Sequence, residues 1–358
     1  MKKDFFKIVA FVALIALVFS CSEYSRIVKD DNYTEKLEKA EELYASGSYN
    51  RALVLYEQVY QRHPADNKGE LSYFKLGMTY FQQKDYFMSA YYFGQFPARF
   101  PKSNRVQDAI YHSAVSSYKT SPSHTLDQED TEAALSELQY YVSRYPNSPR
   151  VDSCNMMMSE LRQKLEDKAW DAVLMYDRME RYNAAMHSAQ AFIQDFPNTS
   201  RKLEAAFLMM RNAYILADKS VFSKKRGRYE RVIEIYDLYR DEFQMSRYIG
   251  DAMNYFERAQ NGLEEVEEVV MFDEIETNYE RAQRASQSKK VEYLEETLKL
   301  YYNFAQRYPN SSYMSRAEEI FRRAERERQN TYRLWKTLIK PRDFNLLTVF
   351  KNFFQIVC

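Results

Sequence analysis

The chain has 358 residues, of which 45% are apolar and 16% aromatic, enough to fill a sizeable core and to exclude a natively disordered chain. Its 51 basic and 51 acidic side chains cancel, so nothing draws it to the phosphate backbone of a nucleic acid. Seven glycines are too few for a turn-dense sheet protein or for several phosphate-cradling loops, which leaves a helical protein.

At the start of the chain, Lys2, Lys3 and Lys7 precede an uncharged apolar run from Ile8 to Phe19, the layout of an export signal. The run is roughly half the ~20 residues needed to cross a bilayer as a helix. It closes on Leu17-Val18-Phe19-Ser20-Cys21, which resembles the lipobox of bacterial lipoproteins. The reading is a lipoprotein signal peptide over residues 1–20, a lipidated Cys21 and a short tether over 21–32. Of the remaining cysteines, Cys154 and Cys358 lie too far apart in sequence to suggest a disulfide framework. Cys154, next to Met156, Met157 and Met158, is expected to be a small buried residue.

From residue 33 onward the dominant signal is repetition. Five segments end alike: Val59-Tyr60-Gln61-Arg62-His63-Pro64, Phe96-Pro97-Ala98-Arg99-Phe100-Pro101, Tyr141-Val142-Ser143-Arg144-Tyr145-Pro146, Phe192-Ile193-Gln194-Asp195-Phe196-Pro197 and Phe304-Ala305-Gln306-Arg307-Tyr308-Pro309. Proline has no amide proton and keeps its predecessor out of helical angles, so each of these prolines predicts a helix end, with a nearby Asn or Ser to cap the next helix. Counting back from two of them, Ala40, Gly47, Tyr49, Ala52, Tyr56 and Pro64 fall in register with Gly77, Lys84, Tyr86, Ser89, Phe93 and Pro101. Small residues at Ala40 and Gly77 let two helices approach, and rings at Tyr56 and Phe93 fill the space between units.

These positions match the pattern of a 34-residue tetratricopeptide hairpin. The fold class expected is all-α, a tetratricopeptide-repeat solenoid (a right-handed superhelix of helical hairpins) with a helical C-terminal extension. The third unit carries an insertion within Lys119 to Asp130, rich in Ser, Pro and Asp. The fourth places Tyr182, Ala185, Phe192 and Pro197 in step. The fifth runs from about Lys202 to Glu242 and is expected to hold a basic loop, Lys224-Lys225-Arg226-Gly227-Arg228. Residues 33–245 thus make five repeats, 246–320 a long helix and a sixth repeat-like hairpin, and 321–358 a basic and apolar tail.

Chemistry is sparse. His63, His112, His124 and His187 do not have the spacing that places two imidazoles on one helical turn, and no phosphate loop or nucleophile elbow occurs, so neither a metal nor any other cofactor is expected. An acidic run, Glu264 to Glu276, and a basic segment, Arg322 to Asp343, are each either a solvated helix face or a surface for a charged partner. The last stretch, Phe344 to Cys358, is too short to span a bilayer and suits packing on the solenoid or against a partner. Binding is better placed in the hollow of the repeats. Tetratricopeptide units usually turn the first helix of each hairpin inward, and that register aims Tyr44, Phe74, Met78, Phe81 and His112 at it. Such side chains suit an extended peptide with apolar anchors, although each could equally pack between helices.

With the lipobox, five early repeats, the third-unit insertion and the run Tyr145-Pro146-Asn147-Ser148-Pro149 in this order, residues 21 to about 245 resemble the BamD family, the lipoproteins of the outer-membrane β-barrel assembly machine. Arg181-Tyr182-Asn183, Asp195-Phe196-Pro197-Asn198-Thr199 and Asn212-Ala213-Tyr214 strengthen the likeness. The resemblance implies a non-catalytic scaffold, lipid-anchored to the outer membrane through Cys21 and facing the periplasm. Its partners would be unfolded outer-membrane proteins, the POTRA region of a central BamA-like barrel subunit and other assembly lipoproteins. Lys224, Lys225, Arg226 and Arg228 would serve a partner contact. Two alternatives stand beside it: a periplasmic tetratricopeptide adaptor for cell division or cell-wall synthesis, and a lipid-anchored glycan-binding protein.

Overall fold

The structure is a computed structural model that describes residues 23–338, so the leader, Cys21, the segment 344–358 and Cys358 lie outside it. Among the described residues every regular element is an α-helix. Helix α1 covers 23–29, and the rest follow as α2 (Tyr33–Ala45), α3 (Tyr49–Arg62), α4 (Asn67–Gln82), α5 (Tyr86–Arg99), α6 (Val106–Thr120), α7 (Glu129–Arg144), α8 (Val151–Arg178), α9 (Tyr182–Asp195), α10 (Lys202–Asp218), α11 (Phe222–Leu238), α12 (Arg240–Gln244), α13 (Ile249–Arg284), α14 (Gln287–Arg307) and α15 (Met314–Leu338). The chain divides into two compact units, and the division falls after Asp171, inside α8. Each unit is a run of helical hairpins packed in series, a tetratricopeptide-type solenoid.

The same joint ends α3, α5, α7, α9 and α14. Each helix stops one residue before His63, Phe100, Tyr145, Phe196 or Tyr308, whose backbone sits at φ between −121° and −130° and ψ between 59° and 67°. That is the departure from helical angles which a following proline imposes. Each of these residues still donates its N–H to the carbonyl four residues earlier, so the last turn stays closed. In four of the five the cap is a ring lying 5.2–5.6 Å from the ring one turn before it. Two residues after each proline a short polar side chain starts the next helix. Asp66 accepts from the amides of Lys68 and Gly69, and Ser103, Ser148, Thr199 and Ser311 each accept from the amide two residues on.

In unit 1 the small residues lie where close approach needs them. Ala40 and Ala52 are fully buried, and a Cβ on Gly77 would come within 2.9 Å of the Phe93 ring. The core forms between hairpins: Leu43, Leu55, Tyr56 and Leu76 in one cluster, Tyr73, Phe93, Phe96 and Ala109 in the next, and Ala114, Leu138 and Tyr141 with Cys154, Met158 and Leu161 of α8 in a third. Burial raises the Cys154 thiol above its ordinary range. Residues 23–32, read from the sequence as tether, carry α1, whose Ile27 is buried against the first hairpin while Lys36 Nζ donates to the Val28 carbonyl at 2.9 Å. One buried isoleucine on a two-turn helix is too weak a periodic signal to read from sequence. The inserted connection, residues 121–128, is tied down by α8. Lys164 Nζ donates to Ser121 O and Lys168 Nζ to Leu126 O, and the Gln128 amide bonds three carbonyls of the loop itself.

In unit 2, α13 serves two sets of neighbours. Its first half lies on α10 and α11, where a Cβ on Gly262 would meet the Tyr229 ring at 2.6 Å and Phe256 stacks on Tyr236 at 4.3 Å. Its second half gives Phe272 and Ile275 to a cluster with Phe304, Tyr308, Ala317 and Ile320 of α14 and α15. Part of the acidic run of α13 is matched within the chain: Glu264 pairs with Arg307, Glu267 with Arg226 and Arg307, and Glu276 with Arg316. A pairing across helices is invisible to a reading of charge along the chain, which left that run open as a partner surface.

Candidate peptide-binding face

The first helices α2, α4 and α6 position the five side chains that the sequence aimed at the hollow, and all five are half-buried. Four of them share one neighbourhood. Phe74 meets Phe93 and Phe96 edge-on at 5.3 and 5.6 Å, and Met78 packs on the same cluster. His112 stacks on Phe93 at 5.2 Å and meets Phe81 and Tyr111 at 5.5 and 5.4 Å. The hub of this array is Phe93, fully buried on α5. Tyr44 belongs to the preceding hairpin, where its ring lies 5.7 Å from Tyr49 and carries Lys75 Nζ 4.7 Å over its face.

These side chains therefore have two faces, one packed between helices and one open. His112 illustrates the electrostatic result. Burial among rings, with the Arg150 guanidinium close by, pushes its imidazolium down to about 4, so the ring is neutral at pH 7. Its Nδ1 is buried and without a hydrogen-bond partner. Beside the array the wall is charged but internally matched: Lys75 with Glu41, which also accepts from Tyr56 Oη at 2.7 Å, and Arg150 with Asp108 at 2.7 Å. Arg150 in addition stacks on Tyr111 at 4.5 Å. An apolar ledge with neutral chemistry and satisfied charges can hold uncharged side chains of an extended segment. Among the described residues no group of three His, Cys, Asp or Glu could hold a metal ion, and no helix is long and apolar enough to cross a membrane.

The basic segment differs from its sequence reading. Lys224, Lys225, Arg226, Gly227 and Arg228 lie in the first turns of α11, not in a loop. The buried face of α11, Tyr229, Val232, Ile235 and Tyr236, supplies enough packing to override the poor helix propensity of Gly227. Two of the four cations are engaged, Arg226 with Glu230 and Glu267, and Arg228 with Ser220 Oγ and the Leu216 carbonyl. Lys224 and Lys225 make no ion pair among the described residues.

The wall pairs were missed at the sequence level, although a signal existed. Glu41 and Lys75 are 34 residues apart, as are Thr34 and Lys68, Gln107 and Tyr141, and Asp177 and Arg211. Complementary polar residues offset by one repeat are the mark of stacked hairpins.

Residues 29–228, more than half the chain, match the YfiO family, described as an outer membrane lipoprotein. The chain belongs to this family. It is also 23% identical over 213 residues to the outer membrane protein assembly factor BamD of Haemophilus influenzae, covering 57% of this chain and 81% of that protein. The assembly factor BamD of Neisseria meningitidis is 25% identical over 232 residues, covering 60% and 85% respectively. Among solved structures, a tetratricopeptide repeat protein from Parabacteroides merdae covers 83% of this chain and 100% of its own at 12% identity and a TM-score of 0.27. The family match takes in the whole aromatic array and ends within α11.

Proposed function

We propose that this family member is a non-catalytic scaffold for outer-membrane protein assembly, anchored by a lipid on Cys21 and facing the periplasm. The first-helix face of unit 1 holds apolar side chains of unfolded barrel segments on Phe74, Met78, Phe81, His112 and Tyr44. Unit 2 engages a POTRA-bearing central barrel subunit, with other assembly lipoproteins in the same complex, and Lys224 and Lys225 are the cations left free for that contact. The observation that carries this reading is the half-buried aromatic ledge on successive first helices, lying inside the region that matches the family. A rigid repeat stack suits the task, because it fixes the spacing of contacts within each unit without ordering costs at each binding event.

The test is affinity isolation of the tagged full chain from detergent-solubilised envelopes. A POTRA-containing barrel subunit should be recovered, and Lys224→Glu combined with Lys225→Glu should lower its recovery severalfold with the melting temperature unchanged. Recovery of division or cell-wall proteins alone would overturn the proposal.

A further inference from the structure

A second concavity lies in unit 1, between the second helices α5 and α7 and the first helix α6, and it shares only Phe93 with the aromatic array. It is a cleft of about 380 Å³ lined by Phe93, Gly94, Pro97 and Ala98 of α5, Ile110 and Ser113 of α6, and Glu137 and Tyr140 of α7. Three observations mark it as more than a packing gap. The first is Gly94. A glycine in mid-helix weakens the helix, and here no close contact requires it, since an added Cβ would lie 3.5 Å from Ser113 Oγ, an ordinary distance. Gly77 is the opposite case, because the Phe93 ring fills the place of its Cβ. The missing side chain at Gly94 keeps the cleft open.

The second observation is Glu137. Its two carboxylate oxygens accept from Ser113 Oγ at 3.0 Å and Ser117 Oγ at 3.1 Å, and among the described residues it forms no ion pair. The nearest cation along its own helix, Arg144, is engaged with the Tyr140 and Tyr145 rings. A half-buried carboxylate held in place by two hydroxyls, beside apolar surface and with no countercharge, is complementary to a cation that brings its own apolar stem. The third is exposed aromatic surface. Phe87 and Tyr91 lie on the same stripe of α5 as Gly94 and Ala98, at helical spacing, and are 76% and 51% exposed, while Tyr140 on the rim is 52% exposed.

We propose that the cleft between α5 and α7 binds a segment of a partner protein through one arginine or lysine. That side chain passes beside the Tyr140 ring to reach Glu137, and an adjacent apolar side chain of the segment rests on Phe87 and Tyr91. Tyr140 contributes its π face to the cation, and Gly94, Pro97 and Ala98 contribute the floor for the methylene stem. The site differs from the Phe74–His112 array, with which it shares Phe93: on α6 it uses Ile110, Ser113 and the neighbouring Ser117, and His112 is not part of its lining.

The experiment is selection of a phage-displayed library of random twelve-residue peptides on the full chain, with subtraction on Gly94→Leu, whose side chain fills the cleft. Peptides that depend on the cleft should carry Arg or Lys next to an aromatic or aliphatic residue. Synthetic versions should bind at least tenfold more tightly than forms in which Arg is replaced by citrulline or Lys by norleucine. Glu137→Gln should abolish that tenfold preference, and Tyr140→Ala, a change at an exposed ring, should reduce affinity severalfold without altering the melting temperature. The proposal is overturned if no selected peptide depends on the cleft, if the dependent peptides lack basic residues, or if Glu137→Gln keeps the preference. Loss of binding to anionic lipid vesicles in Gly94→Leu, without any peptide effect, would assign the cleft to a membrane surface instead.

Discussion

His112 couples the ledge to pH in a direction that follows from its surroundings. Its ring is enclosed by Phe81, Phe93 and Tyr111, and Arg150 opposes protonation more than Asp108 favours it, so the folded chain protonates there only near pH 4. In the unfolded chain the same imidazole takes its proton near the ordinary value of about 6.5. Between those limits the unfolded state holds more protons, so stability rises with pH and falls as the solution is acidified. With about 1.4 kcal/mol for each unit of pH in that window, going from pH 7 to pH 5 removes roughly 2 kcal/mol through this residue. His112→Phe should keep the ring packing, remove the unpartnered Nδ1 and flatten the dependence. Urea unfolding at the two pH values measures it, and equal acid losses in the variant and the parent would refute the assignment.

Helix contacts depend on which residues lack a side chain, and two glycines in unit 1 give opposite expectations. Gly77→Ala places a methyl against the Phe93 ring that stacks on His112, an overpacking that costs about 1–3 kcal/mol. Gly94→Ala meets only ordinary contacts and gains about 0.5–1 kcal/mol from the stiffer helix. Melting temperatures should therefore move in opposite directions, and a common direction would mean that helix spacing here is not set by Gly77. The Gly77 role was legible in the sequence as a small residue where two helices approach, while the ring it faces, Phe93, emerged only from the packing. The five proline joints were legible too, because Pro64, Pro101, Pro146, Pro197 and Pro309 act through local backbone sterics that need no tertiary context. What the sequence could not settle was decided by packing. Phe74 and Phe81 spend part of each ring on neighbouring helices, the glycine at 227 sits in a helix because Tyr229 and Tyr236 bury the other face, and the Glu137 cleft depends on three helices meeting.

A series of hairpins always leaves a bare flank at its end, and the chain answers this beyond the family-matched region with α13. Residues 249–266 of α13 do the covering: Tyr255 lies 5.3 Å from Tyr214 and 6.2 Å from Phe207, Phe256 stacks on Tyr236, and Arg258 sits 4.5 Å over Tyr214. The rings they cover, Phe207, Tyr214, Tyr229 and Tyr236, are all buried. Beyond Val266 the helix turns its apolar residues to α14 and α15 instead, so one continuous helix closes the fifth hairpin and founds the sixth. Burying a large apolar side chain is worth about 1.5–3 kcal/mol, so half-uncovering four rings costs on the order of 4 kcal/mol, a large part of the stability of a typical domain. A chain ended after Met245 should therefore lose the cooperative melting of its fifth hairpin and expose apolar surface that binds a hydrophobic dye. A chain ended after Glu268 keeps Gly262 against Tyr229 and Val266 in place, and should melt as the full chain does in that hairpin, although α14 and α15 are gone. Hydrogen exchange of the α10 and α11 amides distinguishes the two. If protection of those amides were the same in both truncated chains, the first half of α13 would not be the cap: protection kept in both would mean that the fifth hairpin needs none, and protection lost in both would make the sixth hairpin stabilise the fifth from a distance, which the nearest-neighbour energetics of stacked repeats do not provide.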